Sequence, residues 1–125
     1  MEALIIQGTE DTPEIQFDPD DGLLELSGKS LPEDVKEFYY PVMQWADFYS
    51  KNPKEKTIFN FRMKYFNTAS SKMILDLIDK VVTNIQKKGN DLEINWYYHA
   101  DDEEMGEEGE DLGDKIDFPF NLIAV

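Results

Sequence analysis

The chain has no cysteine, which excludes a disulfide framework, a thiolate zinc site and a cysteine nucleophile together. Basic residues are scarce: 12 Lys and Arg face 27 Asp and Glu, for a net charge of −15. Binding to phosphate backbones or to anionic lipid draws on clustered Lys and Arg, so neither nucleic acid nor a membrane surface is an expected partner. No run approaches the roughly 18 apolar residues of a membrane-spanning helix. The opening Met1-Glu2-Ala3-Leu4 lacks the basic region and apolar stretch of a signal peptide, so a cytoplasmic protein is expected. Histidine occurs once, as His99, and no glycine-rich phosphate loop is present.

What is present is globular. At 125 residues the chain fits one domain spanning 1–125, and 41% hydrophobic content with 13% aromatic content is enough for a core. Leu4-Ile5-Ile6 reads as a short strand. Glu14 to Asp18 and Leu24 to Ser27 alternate on either side of Asp18-Pro19-Asp20-Asp21-Gly22, which predicts a β-hairpin. Ser30-Leu31-Pro32-Glu33 has the form of a capping box, with Ser30 as cap. Val35, Phe38, Tyr39, Val42, Trp45, Ala46 and Tyr49 follow at helical spacing, and Pro41 predicts a kink or break near Tyr40.

Thr57 to Tyr65 is the most regular strand, with Phe59, Phe61, Met63 and Tyr65 on one face. A helix then begins near Asn67 or Thr68, carries an apolar stripe from Met73 to Ile85, and ends at Lys87-Lys88-Gly89. Leu92 to Tyr98 alternates again. A short element is expected from about Glu103 to Leu112, followed by an apolar tail from Phe118 to Val125. The order β-β-β-α-β-α-β-(α)-tail predicts one α/β domain: a mixed sheet with an N-terminal hairpin, covered by helices.

Residues that invite a chemical reading are mostly bland in context. Asp101 to Asp111 holds eight carboxylates, more than half of the net charge. A docking patch or a weak cation site is conceivable there, but dense like charge reads first as a solvated face. The aspartate turn lacks the EF-hand spacing, and His99 has no nucleophile at a recognisable spacing. No catalytic, cofactor-binding or metal-ligating set is expected, and an enzyme is not predicted.

The exception is Tyr65-Phe66-Asn67-Thr68-Ala69-Ser70-Ser71-Lys72, where strand gives way to helix amid hydroxyls. The first turn of a helix has unpartnered N–H groups and the positive end of the dipole, so it favours anions. A hydroxyl there is either a plain cap or a phosphorylation site whose product the backbone is ready to accept.

The order of elements and this hydroxyl cluster resemble the STAS domains of anti-anti-sigma factors. Nearly the whole chain resembles the SiaC family of bacterial regulatory phosphoproteins more closely. The matching stretches are Glu10-Asp11-Thr12-Pro13-Glu14, Gly28 to Val35, Phe59-Asn60-Phe61, Tyr65 to Lys72, Asn95-Trp96-Tyr97-Tyr98, and the acidic segment ending at Asp117-Phe118-Pro119-Phe120. The resemblance implies a single STAS-like domain and a switch by threonine phosphorylation, with Thr68 as acceptor. It implies Phe66, Asn67, Ala69, Ser70, Ser71 and Lys72 as the surrounding phosphate and partner surface. It implies a serine/threonine kinase and a metal-dependent phosphatase as partners. In one branch of the family it implies a diguanylate cyclase bound by the unphosphorylated form, linked to cyclic-di-GMP and biofilm formation. Asn67 departs from the aspartate that commonly precedes the acceptor in STAS domains. A constitutive acidic protein-binding module, never phosphorylated, is the alternative.

Overall fold

Ile15 and Phe17 alternate with Glu14, Gln16 and Asp18 in β2 (Glu14–Asp18), and Leu24 and Leu26 do the same in β3 (Leu23–Ser30). Each places its apolar residues on the same side of the sheet. The computed structural model describes all 125 residues. It adds β1 (Leu4–Ile6), α1 (Val35–Lys51), β4 (Lys56–Phe66), α2 (Thr68–Lys88), β5 (Asp91–Tyr98), α3 (Glu103–Ile116) and β6 (Phe120–Ala124). The six strands form one sheet in the order β1-β2-β3-β4-β5-β6. The first three are antiparallel, and β3 to β6 are parallel. The tail expected after Phe118 is therefore a sixth strand, which shares its register with β5 from Ile94↔Phe120 to Tyr98↔Ala124.

Three successive crossovers step in one direction, so the right-handed rule puts α1, α2 and α3 on one face. That face holds the core, including Phe17, Phe59, Phe61, Ile94 and Trp96, packed beneath Tyr39, Ile74 and Ile78. The other face carries no helix and is mostly polar, with Ile5 and Leu23 exposed on it. There Asn121 Nδ2 donates to Asn95 Oδ1 and Asn95 Nδ2 donates to Asn60 Oδ1, each at 2.9 Å, joining three strands by amide bonds. Asn95 also donates to Glu93, which with Lys56 holds the Glu93 carboxyl below the usual carboxylate range. Arg62 bonds Glu25 at 3.0 Å and lies 3.8 Å from the centroid of the Tyr97 ring.

Three local expectations are corrected. Ser30 does not cap α1: it ends β3, fully buried, and Asp34 Oδ1 takes the cap by accepting from the Glu37 N–H at 3.0 Å. Of the kink or break expected near Tyr40, the break does not occur: α1 is one helix with Pro41 inside it, Pro41 is exposed, and the Glu37 carbonyl that loses its partner belongs to an exposed residue. Tyr65 does not join the buried face of β4. The β3–β4 register slips after Gly28, whose φ is 98°, so that Met63 pairs with Gly28 and Tyr65 with Lys29. Lys64 and Tyr65 both turn outward and Phe66 turns in.

α3 extends the short element expected at Glu103 to Leu112 by four residues, to Ile116. Its carboxylates face water, while Met105, Gly109 and Leu112 are buried. The helix lies close on β5 because glycine permits it: Gly106 faces Tyr98 and Gly109 faces Trp96. The Trp96 Nε1–H donates to the Met105 carbonyl at 2.9 Å, so the largest buried side chain is also hydrogen-bonded.

Candidate functional site

Thr68 begins α2 at the C-terminal end of β4, a central strand. Asn67 caps the helix: its side-chain oxygen accepts from the Ser70 N–H at 2.9 Å and its carbonyl from the Ser71 N–H at 2.8 Å. With the cap supplied by Asn67, the Thr68 hydroxyl is left exposed and without a protein partner. An aspartate at residue 67 would place a charge here; the asparagine caps without one.

The backbone donors nearest Thr68 are not equally free. The N–H groups of Ser70 and Ser71 are already bonded, and those of Thr68 and Ala69 have no protein acceptor. Lys72 is exposed four residues on, on the same side of the helix as Thr68. α1 carries Glu37 in its first turn and α3 carries Glu103 and Glu104, but α2 carries no acid there. In a chain of net charge −15, this helix start keeps its positive end uncompensated.

Two residues expected on the surface lie in the core. Phe66 is buried edge-on against Trp96, with ring centroids 6.0 Å apart, because the bulge turns it inward. Ser70 is fully buried beneath the first turn of α2, where its Oγ accepts from Ser30 Oγ at 2.8 Å. Ser30 Oγ lies 2.7 Å from the Tyr39 hydroxyl. Since the Ser30 proton goes to Ser70, Tyr39 donates to Ser30. This buried chain of three hydroxyls ties the start of α2 to β3 and α1.

The exposed surface beside Thr68 instead includes Tyr65, which borders a cleft of about 440 Å³ with Glu10, Asp11, Lys29 and Leu31. Two backbone bonds fix this corner: Asn67 N–H to the Ser30 carbonyl at 3.2 Å, and Leu31 N–H to the Asp11 carbonyl at 2.8 Å. Sequence reasoning missed Tyr65 as a surface residue because strict alternation put it inside. The glycine at residue 28, where a positive φ allows a bulge, was the available signal. His99 is exposed just before α3, and no group of three or more His, Asp or Glu side chains is arranged to hold a metal ion. No helix is long and apolar enough to cross a membrane.

Burial pushes the Tyr39 hydroxyl up to about 12, against the pull of its hydrogen bond with Ser30. The unfolded tyrosine ionises near 10. The stability this group contributes is therefore complete below about pH 10 and is lost as pH rises toward 12, by roughly 2–3 kcal/mol in all. Urea midpoints measured across that window should fall for the natural chain and fall less for Tyr39→Phe. Equal slopes would show that the hydroxyl chain is not what alkali breaks.

The fold defines the class: a single α/β domain whose six-stranded mixed sheet carries three helices on one face. The chain belongs to the SiaC family, since residues 6–125 match the family described as "SiaC family regulatory phosphoprotein". An uncharacterized protein of Pseudomonas aeruginosa strain UCBPP-PA14 is 30% identical over 124 residues, covering 99% of this chain and 98% of that one. The crystal structure of apo-SiaC from Pseudomonas aeruginosa superposes with a TM-score of 0.84 at 30% identity, covering 99% of this chain and all of that one. SiaC of the same organism, in the crystal structure of diguanylate cyclase SiaD in complex with its activator SiaC, superposes with a TM-score of 0.89 at 30% identity. That match covers 98% of this chain and 99% of the other.

Proposed function

We propose that this chain is a non-enzymatic partner switch whose acceptor is Thr68. Unphosphorylated, it binds and activates a diguanylate cyclase, feeding cyclic-di-GMP signalling and biofilm formation; a serine/threonine kinase releases that partner and a metal-dependent phosphatase restores it. The observation that carries the reading is the Thr68 hydroxyl, exposed and unbonded at an acid-free helix start, in a chain whose family is one of regulatory phosphoproteins. The solved complex of a relative with its cyclase supports the choice of partner class.

Phosphate on Thr68 adds about −1.5 to −2 charge at neutral pH. The free N–H groups of Thr68 and Ala69 and the amine of Lys72 are placed to receive it. The domain then tolerates the modification while its surface changes sign. Asn67, Ala69, Ser71 and Lys72 form the rim that a partner reads, joined by Tyr65; Phe66 and Ser70 support it from below. Intact-mass measurement of the protein from its native cells, with the site mapped, should find one phosphoryl group on Thr68 under some growth condition. Its absence under every condition, or its mapping to another residue, sinks the proposal.

A further inference from the structure

β6 is an edge strand, and it is unusually bare. Val125 N–H donates to the Tyr98 carbonyl at 2.8 Å and Ala100 N–H donates to the Val125 carbonyl at 3.0 Å, the two-sided pattern of a parallel ladder. Backbone groups in such a ladder alternate between neighbours, so Asn121 and Ile123 also point toward β5. Phe120, Leu122 and Ala124 then point their N–H and C=O groups outward, and none of the irregular backbone bonds uses them. Natural edges are guarded by charge, proline or a bulge. Phe120-Asn121-Leu122-Ile123-Ala124-Val125 has none of these: no charge, no proline and an unbroken register with β5. β1, at the opposite edge, is only 3 residues long.

The edge also has a floor and a charge. Phe120 and Leu122 share the helix-side face with Ile94 and Trp96, and they line a cleft of about 460 Å³ beneath α3 with Glu110, Asp114 and Asp117. We infer that β6 receives an extended, basic segment of a partner protein as a seventh strand. The backbone of Phe120, Leu122 and Ala124 would supply the hydrogen bonds, and the three carboxylates would select Lys or Arg on the incoming strand. Charge also decides against a second copy of this chain as the occupant. Pairing β6 with β6 would bring the two sets of carboxylates together in proteins of net charge −15 each. This surface lies two strands from β4, whose end carries Thr68, so it does not depend on the switch.

A labelled peptide of alternating lysine and valine, titrated by fluorescence anisotropy into the full chain, should bind. Its glutamate–valine counterpart should bind at least about tenfold more weakly. Amide exchange should slow at Leu122 and Ala124 in the complex and stay unchanged at Asn121 and Ile123. Leu122→Pro removes an outward N–H without touching the ladder to β5, and it should weaken the lysine peptide about tenfold, the worth of one lost hydrogen bond. Asp114→Lys keeps the backbone edge and should weaken the peptide comparably, which guards against a proline variant that fails to fold. Equal binding of the two peptides overturns the inference, as does exchange protection elsewhere. So does sedimentation showing that the chain pairs with itself through β6.

Discussion

Thr68→Asp should abolish cyclase binding while leaving the fold intact. The fold is spared because Thr68 makes no side-chain bond and the cap belongs to Asn67. A carboxylate in the first turn is favoured by the helix dipole by about 0.3–1 kcal/mol, so the melting temperature should hold or rise slightly. Binding is lost for the opposite reason: a charge added inside a packed interface must be desolvated or repelled, at a cost of several kcal/mol. Isothermal titration against the diguanylate cyclase of the same cell should show at least about 100-fold weaker binding for the aspartate variant. Thr68→Ala should bind like the natural chain and resist inactivation by the kinase. A Thr68→Asp protein that binds as well as the original would make this a constitutive acidic module instead.

Gly109→Ala should be strongly destabilising for so small a change. A Cβ at residue 109 would lie 2.4 Å from Trp96 Cδ1, 2.6 Å from Cγ and 2.7 Å from Nε1. Those are rigid ring atoms, and Trp96 is fully buried between Phe61 and Phe66 with no room to retreat. α3 must lift instead, which also strains the bond from Trp96 to the Met105 carbonyl. Overpacking of this kind costs about 1–3 kcal/mol, and the bond adds about 1 kcal/mol more. The melting temperature should drop by roughly 10 °C. Gly113→Ala is the control, since a Cβ there meets the Phe120 ring at 3.4 Å, ordinary contact, and should cost far less.

The parts of this fold that were legible in the sequence are those where one local pattern has one meaning. The stripe from Met73 to Ile85 and the Lys87-Lys88-Gly89 stop describe α2 closely, with Met73 only half-buried, and Gly89 does cap it in the left-handed conformation, φ 76°. The hairpin around Asp18 to Gly22 is similar: Asp18 Oδ1 accepts from the Asp20 N–H at 2.9 Å, as turn chemistry predicts. What failed depends on distant partners. Ser30 looks like a cap only until Tyr39 and Ser70 supply a buried use for its hydroxyl. Tyr65 and Phe66 exchange faces because of a slip against β3, which no window within β4 can reveal. Phe120 to Ala124 reads as a tail because an edge strand is defined by the neighbour it pairs with. The position of Thr68 at the helix start was legible; which groups stand free around it was not, because that depends on who caps.

The strand order carries one more consequence. Because the sheet is laid down as the chain runs, every strand pairs with the one made just before it. A growing chain leaving the ribosome never has to hold a strand open for a partner still unmade, as a sheet with a reversal point must. Each parallel pairing spans only one crossover, so loop closure costs less than in a sheet with a reversal, and folding is expected to be fast for a parallel sheet. β6 is the last of the six strands to arrive, and the nascent sheet before it would expose β5 as its edge.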